Sequence, residues 1–447
     1  MLAIVVSRAD DASVHIGEHL KELADWSVDR DERRSAADGG GDVWRLEGAE
    51  LRVFDTPHLE LDGAADAFDD PDLLVFASKH AGETGRLRTA HPTGNVGPAE
   101  FGGEDGAFAR ACPAAHKRVI DALEDRAPPD YEVGMECTHH GPTDLTVPSM
   151  FVEVGSAQPQ WDDPDAARAV AKAILDLRNV APDAPRENGT RRHLVGFGGG
   201  HYVPRFERIV RETDWSVGHI GADWCLDAMG DPEANREVIR AAFEASAADH
   251  ALITGKRPDL REVVEDLGYR VVGETFLRET TGVPLDLVTR VEEAIGPVGA
   301  GTRIGDLAGD FEGGLSVVDL PAELRDAAHG IDDEGAWAAV ESNTVAFETA
   351  EGGTVLGDRI ITTTPADRRE IIDAFADLLR VKYDEVETTD GAVVAHETAF
   401  DPEKAQTLGV SEGPAFGKLS AGQTVEIDGR TIPPEAVHEE RTHRFPI

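Results

Sequence analysis

The chain has 447 residues, 40% of them hydrophobic, with 86 acidic against 43 basic side chains and a formal net charge of −43. That length and apolar content exclude a disordered chain and allow a large core shared between two domains. Only 8 of the 43 basic residues are lysine, and the acidity runs along the whole chain instead of collecting in a tail, which fits a surface adapted to molar salt, where a Debye length of about 3 Å screens self-repulsion.

Residues 2–6 read as a buried opening strand; the run is too short for a signal peptide and lacks a basic flank. Residues 13–26 have helical spacing, with Ile16, Leu20 and Leu23 on one face. The charged, Gly-rich stretch 29–42 reads as an exposed loop, and 43–54 alternates like strand structure. Residues 73–77 form another buried strand, with Ser78, Lys79 and His80 at its carboxyl end. Helix is expected over 116–123, and 133–135 leads as a strand into Glu136. Residues 151–154 are a further strand. Residues 164–177 are an Ala-rich helix with Asp163 as its cap. A strand over 194–197 runs into Gly198, Gly199 and Gly200. Helix 232–245, strand 251–254, helix 260–267 and strand 269–272 follow.

This alternation predicts an α/β domain with a mixed, mostly parallel sheet flanked by helices, and such sheets bind ligands at the carboxyl ends of their strands. A Gly-, Asp- and Pro-rich break marks a linker over 297–314. It separates a catalytic domain, 1–296, from a smaller α+β extension, 315–447, with a helix over 368–379 and strand-like pieces at 393–394 and 424–427. Cys112, Cys137 and Cys225 lie far apart without C-x-x-C spacing, which argues against a disulfide framework or a four-cysteine zinc knuckle and fits a reducing cytoplasm. No apolar stretch approaches membrane-spanning length. The expectation is a soluble cytoplasmic monomer with no stable protein partner.

Three polar constellations fall where apolar runs end: Ser78-Lys79-His80, then Glu136-Cys137-Thr138-His139-His140-Gly141-Pro142-Thr143-Asp144, then Gly199-Gly200-His201-Tyr202. Glu136, His139, His140 and His201 are candidate metal ligands, since zinc favours imidazole and carboxylate with one open position. Adjacent histidines in extended chain point to opposite sides, so both reach one ion only if the chain turns at Gly141-Pro142; a hydrogen-bonded pair without metal is the alternative. Lys79, His80 and His139 are candidate catalytic groups, against a surface lysine and satisfied core histidines. The glycine triplet offers N–H groups to a phosphate or oxyanion, or is merely a flexible turn.

Two basic islands stand out. Arg186, Arg191, Arg192, Arg205, Arg208 and Arg211 face Glu187 and Glu207, a net +4; Lys79, Arg86 and Arg88 face Glu83, a net +2. Local charge reversal beside two of the three motifs suits an enzyme acting on a polyanion; pairing along a helix, as between Glu207 and Arg211, is the plainer account.

Ser78-Lys79-His80-Ala81-Gly82, Thr89-Ala90-His91-Pro92-Thr93-Gly94-Asn95, Glu136 to Pro142 and Gly199-Gly200-His201-Tyr202 resemble, in order, the motifs of archaeal-type D-aminoacyl-tRNA deacylases over about residues 1 to 290. The resemblance implies a zinc-dependent esterase, with two Zn2+ ions per subunit, that releases D-amino acids such as D-tyrosine from tRNA. It also implies an α/β fold like phosphorylases and peptidyl-tRNA hydrolases. His91, Asn95, Arg86, Arg88, Arg191, Arg192, Arg205, Gly199, Gly200 and Tyr202 are then the expected substrate-binding residues. Members are expected to end near the domain break, so the segment beyond is a departure. Within it, Gly413-Pro414-Ala415-Phe416-Gly417-Lys418-Leu419 with Gly422 and Val425 is similar to a stretch of tRNA 3′-end-processing nucleases, without their H-x-H-x-D-H metal motif. Rival readings are a metal-free His-dependent aminoacyl- or peptidyl-tRNA hydrolase with His80 or His139 as base and Asn95 as oxyanion donor, a non-catalytic tRNA-binding protein, and a nucleoside phosphorylase.

Overall fold

The opening apolar run forms β1 (Leu2–Ser7), buried at every residue, inside an eight-stranded sheet. The computed structural model describes every residue except 127, 188, 310 and 312. In chain order follow α1 (Asp11–Glu22), β2 (Ser27–Asp31), β3 (Gly41–Leu46), β4 (Ala49–Phe54), β5 (Leu73–Lys79), β6 (Leu87–Pro92), α2 (Pro113–Asp125), β7 (Glu132–Met135), β8 (Ser149–Gly155), α3 (Gln158–Trp161) and α4 (Pro164–Leu175). These strands stand in the order β2-β3-β4-β1-β5-β8-β6-β7. A second sheet, order β10-β9-β11-β12 and wholly parallel, is built from β9 (His193–Phe197), α5 (Pro204–Glu212), β10 (Ser216–Gly221), α6 (Asp223–Met229), α7 (Arg236–Ser246), β11 (His250–Ile253), α8 (Pro258–Asp266), β12 (Arg270–Val272) and α9 (Glu274–Glu279). The expected mixed α/β architecture is thus present. Helix α2 packs on β6 of the first sheet and on β10 of the second.

Local signals account for most elements. Asp10 caps α1 through a bond from Ser13 N of 3.0 Å, and Asp163 caps α4 from Asp165 N and Ala166 N at 3.0 and 3.3 Å. Strands β1, β5 and β8 are buried along their whole length except at Lys79, as expected of strands covered on both faces.

Several expectations are corrected. Part of the expected loop 29–42 is β2, an edge strand paired antiparallel to β3 and exposed at four of its five residues. Its charges are what an unpaired edge carries. Strands β6 and β10 were not foreseen. Helix α7 begins at Arg236 rather than 232, because Asn235 and the residues before it form a turn held by the Asp231 carboxylate and carbonyl.

The chain divides into compact units Met1–Leu285 and Asp286–Ile447, not at 297–314. Helix α10 (Leu285–Ile295) lies almost wholly in the second unit, where Arg359 bonds to the carbonyls of Ala294 and Ile295 at 3.4 and 3.2 Å. Residues 310 and 312 of the expected linker lie outside the described residues. The second unit holds an antiparallel four-stranded sheet (Thr302–Ile304, Ala346–Ala350, Val355–Thr362, Ser316–Asp319) with helices Ala322–Ile331, Asp333–Ser342 and Pro365–Leu379, and a three-stranded sheet of Glu385–Thr389, Ala392–Phe400 and His438–Pro446. The Gly-Pro stretch forms a short helix, Pro414–Ser420. Its Leu419 packs with Ala405, Val410, Val425, Ile432 and Val437 in a small core of its own.

The Asp163 carboxylate also accepts the Tyr131 hydroxyl at 2.9 Å. Asp163→Ala should therefore cost about 1–2 kcal/mol in denaturant unfolding at constant KCl, with Asp163→Asn retaining most of the stability.

Candidate active site

The site forms where the two sheets of the first unit are laced together. Beyond β7 the chain leaves the first sheet and crosses to the second. Glu136 N bonds to Ala90 O at 3.3 Å, Cys137 N to His201 O at 2.9 Å and Thr138 N to Ile220 O at 2.9 Å. Val203 N returns to Met135 O at 3.1 Å. The loop after β9 is free to approach because Gly198 has a φ of +92° and a Cβ there would lie 2.5 Å from Thr254 O. Gly155 closes the other side, where a Cβ would meet that of His80 at 2.7 Å.

Glu136 is fully buried. Its Oε2 accepts His201 Nε2 at 2.7 Å and lies 3.9 Å from His139 Nε2. Its Oε1 faces His80 Nδ1 at 3.1 Å and has no hydrogen-bond partner. His80 Nδ1 also faces Glu153 at 3.6 Å, while its Nε2 reaches the Tyr202 hydroxyl at 2.7 Å. Glu153 in turn stands 3.9 Å from His91 Nε2. His91 stacks on Phe151 with ring planes 4° apart.

Charge is balanced inside this cluster. Burial pushes the Glu136 carboxyl up, but the bond from His201 and the close imidazoles of His80 and His91 outweigh it and hold the group well below the usual carboxylate range. Glu153 is lowered by the same contest, through His80 and His91. Burial depresses the His80 imidazole, yet Glu136 and Glu153 prevail and raise it to about 11; His91 is raised against its burial by Glu153. Burial and the neighbouring His91 lower His140 to about 4 and His139 well below its ordinary value.

The imidazoles are set up to accept an ion. His91, His139 and His140 each donate Nδ1–H to a backbone carbonyl, of Pro92, Cys137 and Gly141, at 3.0, 2.8 and 2.8 Å. In the neutral rings this leaves the lone pair on Nε2, as metal-ligating histidines require. One ligand atom from each of these three lies within 4.8 Å of the others, and the same holds for His80, Glu136 and His201. The orphaned His91 Nε2 and Glu136 Oε1 are buried polar atoms that an ion would satisfy. The donor set fits a divalent metal such as zinc.

A cavity of about 490 Å³ opens above the cluster, lined among others by Lys79, His80, Phe101, His139, Phe151 and His201. Lys79 stands at its edge with Nζ 5.1 Å from the centre of the Trp161 ring. Lys79, His80, Glu136, His139, His140, His201 and Tyr202 thus converge as expected, and Gly199 and Gly200 border them. His91 does not reach substrate; it is buried in the cluster. Asn95 is likewise buried and spends its side-chain amide on the carbonyls of Gly102 and Glu104 at 2.9 and 3.2 Å, which rules it out as an oxyanion donor.

Apart from Lys79, the basic islands are largely paired or buried. Arg88 is 0% exposed, lowered to about 10 by burial, with its guanidinium 5.8 Å from the Tyr131 ring, and cannot meet a phosphate. Arg192 is buried on Glu187 at 2.7 Å and on Thr280 O at 2.7 Å. Arg86 pairs with Asp130 at 2.6 Å, Arg191 with Asp183 at 3.6 Å and Arg205 with Glu274 at 3.4 Å. The Glu207–Arg211 pair is formed at 3.0 Å. Arg88 and Arg192 are buried in the fold, and Arg86, Arg191 and Arg205 are paired with carboxylates at its surface.

Glu153, Asp10 and His58 were missed. Asp10 bonds to Lys79 N at 3.0 Å and lies 3.6 Å from His58 Nδ1. The one available signal was a glutamate inside an apolar run, Phe151-Val152-Glu153-Val154.

A family model described as D-aminoacyl-tRNA deacylase matches residues 67–272. A protein of that name from Haloarcula marismortui is 56% identical over the whole of both chains, and one from Natronomonas pharaonis 52% identical over the whole of both. Another of that name, from Methanococcoides burtonii, is 31% identical over 98% of this chain and 95% of its own. The second unit is therefore shared with these relatives, which corrects the expectation that they end near the domain break. A crystal structure of a conserved protein of unknown function superimposes with a TM-score of 0.55 at 27% identity, covering 63% of this chain and 98% of its own.

Below pH 6.5 the unfolded chain protonates histidines that the fold keeps neutral: His116, His140, His219 and His250, all lowered to about 4 by burial. Stability of chelator-treated protein should therefore fall as pH drops from 6.5 towards 4. His80 does not offset this slope, since its raised value gives stability that is complete below 6.5 and is lost only as pH rises through 11. Denaturation midpoints between pH 7 and 5 measure the trend, and His219→Gln should flatten it.

Proposed function

The chain belongs to the D-aminoacyl-tRNA deacylase family, and we propose that the Glu136 cluster hydrolyses the ester joining a D-amino acid to the terminal ribose of tRNA, with zinc as its resident ion. The observation that carries this reading is the set of three histidines whose Nδ1–H groups are committed to backbone carbonyls around a buried, part-satisfied carboxylate. His91, His139 and His140 would hold the ion, and the second group, His80, Glu136 and His201, is left to proton transfer. Zinc at such a site supplies a Lewis acid and lowers the pKa of water.

The protein's own groups do the rest. His201 donates Nε2–H to Glu136, which leaves the Nδ1 lone pair free on a half-exposed ring. Oriented by this carboxylate, Nδ1 takes a proton from the attacking water as the oxygen bonds to the ester carbon. It returns the proton to the ribose oxygen as the ester C–O bond breaks, giving the free amino acid and tRNA. Lys79, which lines the cavity, and the N–H groups of Gly199 and Gly200 are the groups assigned to the developing oxyanion. The cavity, walled by Pro57, Leu59, Ala81 and Phe151, is of a size that takes an aromatic amino acid. A tRNA substrate places the activity in the cytoplasm, and no helix among the described residues is long and apolar enough to cross a membrane.

In molar KCl the protein should release D-tyrosine from D-tyrosyl-tRNA and leave L-tyrosyl-tRNA intact; equal rates on both would sink the reading. Chelation followed by dialysis should abolish turnover and zinc should restore it, whereas full activity after chelation would leave the Glu136–His201 pair acting alone. Glu136→Gln and His201→Ala should each lower kcat by roughly 100-fold or more. Gly155→Ala should do so too, by displacing His80, with stability as the control.

A further inference from the structure

Phe101 and Trp224 stand apart from the other aromatic residues. Of 16 phenylalanines and 6 tryptophans, these alone are strongly exposed among the described residues, Phe101 at 56% and Trp224 at 47%. Both are tied to the active site. Phe101 lines the cavity with His139 and His140. Its carbonyl accepts Gly141 N at 3.1 Å, and the buried Asn95 amide holds the rest of its loop through Gly102 and Glu104. Trp224 stands in the first turn of α6, whose Asp223 N bonds to Gly199 O at 2.8 Å, two residues from His201. The two elements also meet each other, since Gly97, at the start of the Phe101 loop, packs on the backbone of α6 between Cys225 and Met229.

We infer that Phe101 and Trp224 are stacking platforms for the unpaired bases of the tRNA 3′ end, holding the terminal nucleotides so that the ester enters the cavity. This rests on the deacylase reading of the same site. Unpaired bases are recognised by aromatic faces, which are sequence-tolerant and suit an end common to all tRNAs. Charge cannot do this work here. Arg86, Arg191, Arg192 and Arg205 are held in ion pairs and Arg88 is fully buried, the surface is acidic, and phosphate contacts lose their strength steeply as salt rises. Stacking does not depend on counterion release, so it is the form of recognition that survives molar salt.

The test uses the full-length protein and uncharged acceptor-stem RNA duplexes, with and without a single-stranded 3′ tail ending in CCA, with binding read by anisotropy in 1–3 M KCl, roughly the range where phosphate contacts are weakest. The tailed duplex should bind roughly tenfold or more tightly than the blunt one. That preference should vanish in Trp224→Ala and Phe101→Ala, be restored in Trp224→Phe, and stay intact in Leu408→Ala. On D-tyrosyl-tRNA the two alanine variants should raise KM more than they lower kcat. A wild-type protein that binds both duplexes alike, or alanine variants that keep the preference with unchanged KM, would overturn the inference even if deacylation stands. Tail-dependent binding without hydrolysis of D-tyrosyl-tRNA would instead strike the deacylase reading on which it rests.

Discussion

A single buried carboxylate organises this site. Glu136 sits at the crossing between two sheets, where its own backbone joins the first and the next two residues join the second. A carboxylate with no exposure is costly unless it is paired and hydrogen-bonded. The fold meets that cost with imidazoles from three elements: His80 beyond β5, His139 in its own loop, and His201 beyond β9. Glu153 and His91 add an anion and a cation behind them. The lacing of the sheets and the chemistry of the site are thus one constraint, since moving either sheet separates Glu136 from the groups that permit it to be buried.

Arginine follows a related logic elsewhere. Arg52 is buried between Glu50 at 2.6 Å and Asp31 at 2.9 Å, and Glu274 gathers Arg205, Arg208 and Arg278. Planar guanidinium groups can serve two carboxylates at once and stay charged when desolvated. In a chain with twice as many acids as bases, such sharing uses each cation more than once. Basic clusters in the sequence therefore include residues such as Arg192 that are joints of the fold.

Much of the fold was legible because its strands are short apolar runs and its helices carry caps such as Asp163. The site residues at loop starts were legible for the same reason: His80, Glu136, His139, His140 and His201 each stand where an apolar run stops. What stayed hidden depends on pairing between distant strands. His91 and Glu153 meet only because β6 runs antiparallel to β8, with His91 opposite Phe151 and Thr89 opposite Glu153. No local pattern specifies that register. Arg88 was misplaced because Arg86, two residues before it, is exposed and charged, whereas β6 buries Arg88 beside Tyr131. The edge strand β2 was hidden by the very charges that protect it from pairing.

An acidic enzyme and a polyanionic substrate repel each other in dilute salt, and molar salt removes that repulsion together with the attraction that basic residues would provide. Recognition must then come from contacts that do not depend on long-range fields. Exposed rings, a shaped cavity and hydrogen bonds at the site are such contacts. The sparing use of lysine and the internal pairing of arginine cost the protein little under these conditions, because free cations would gain little there. The rings of Phe101 and Trp224 keep their value, so the features that make this surface fit for salt also decide which residues can hold the substrate.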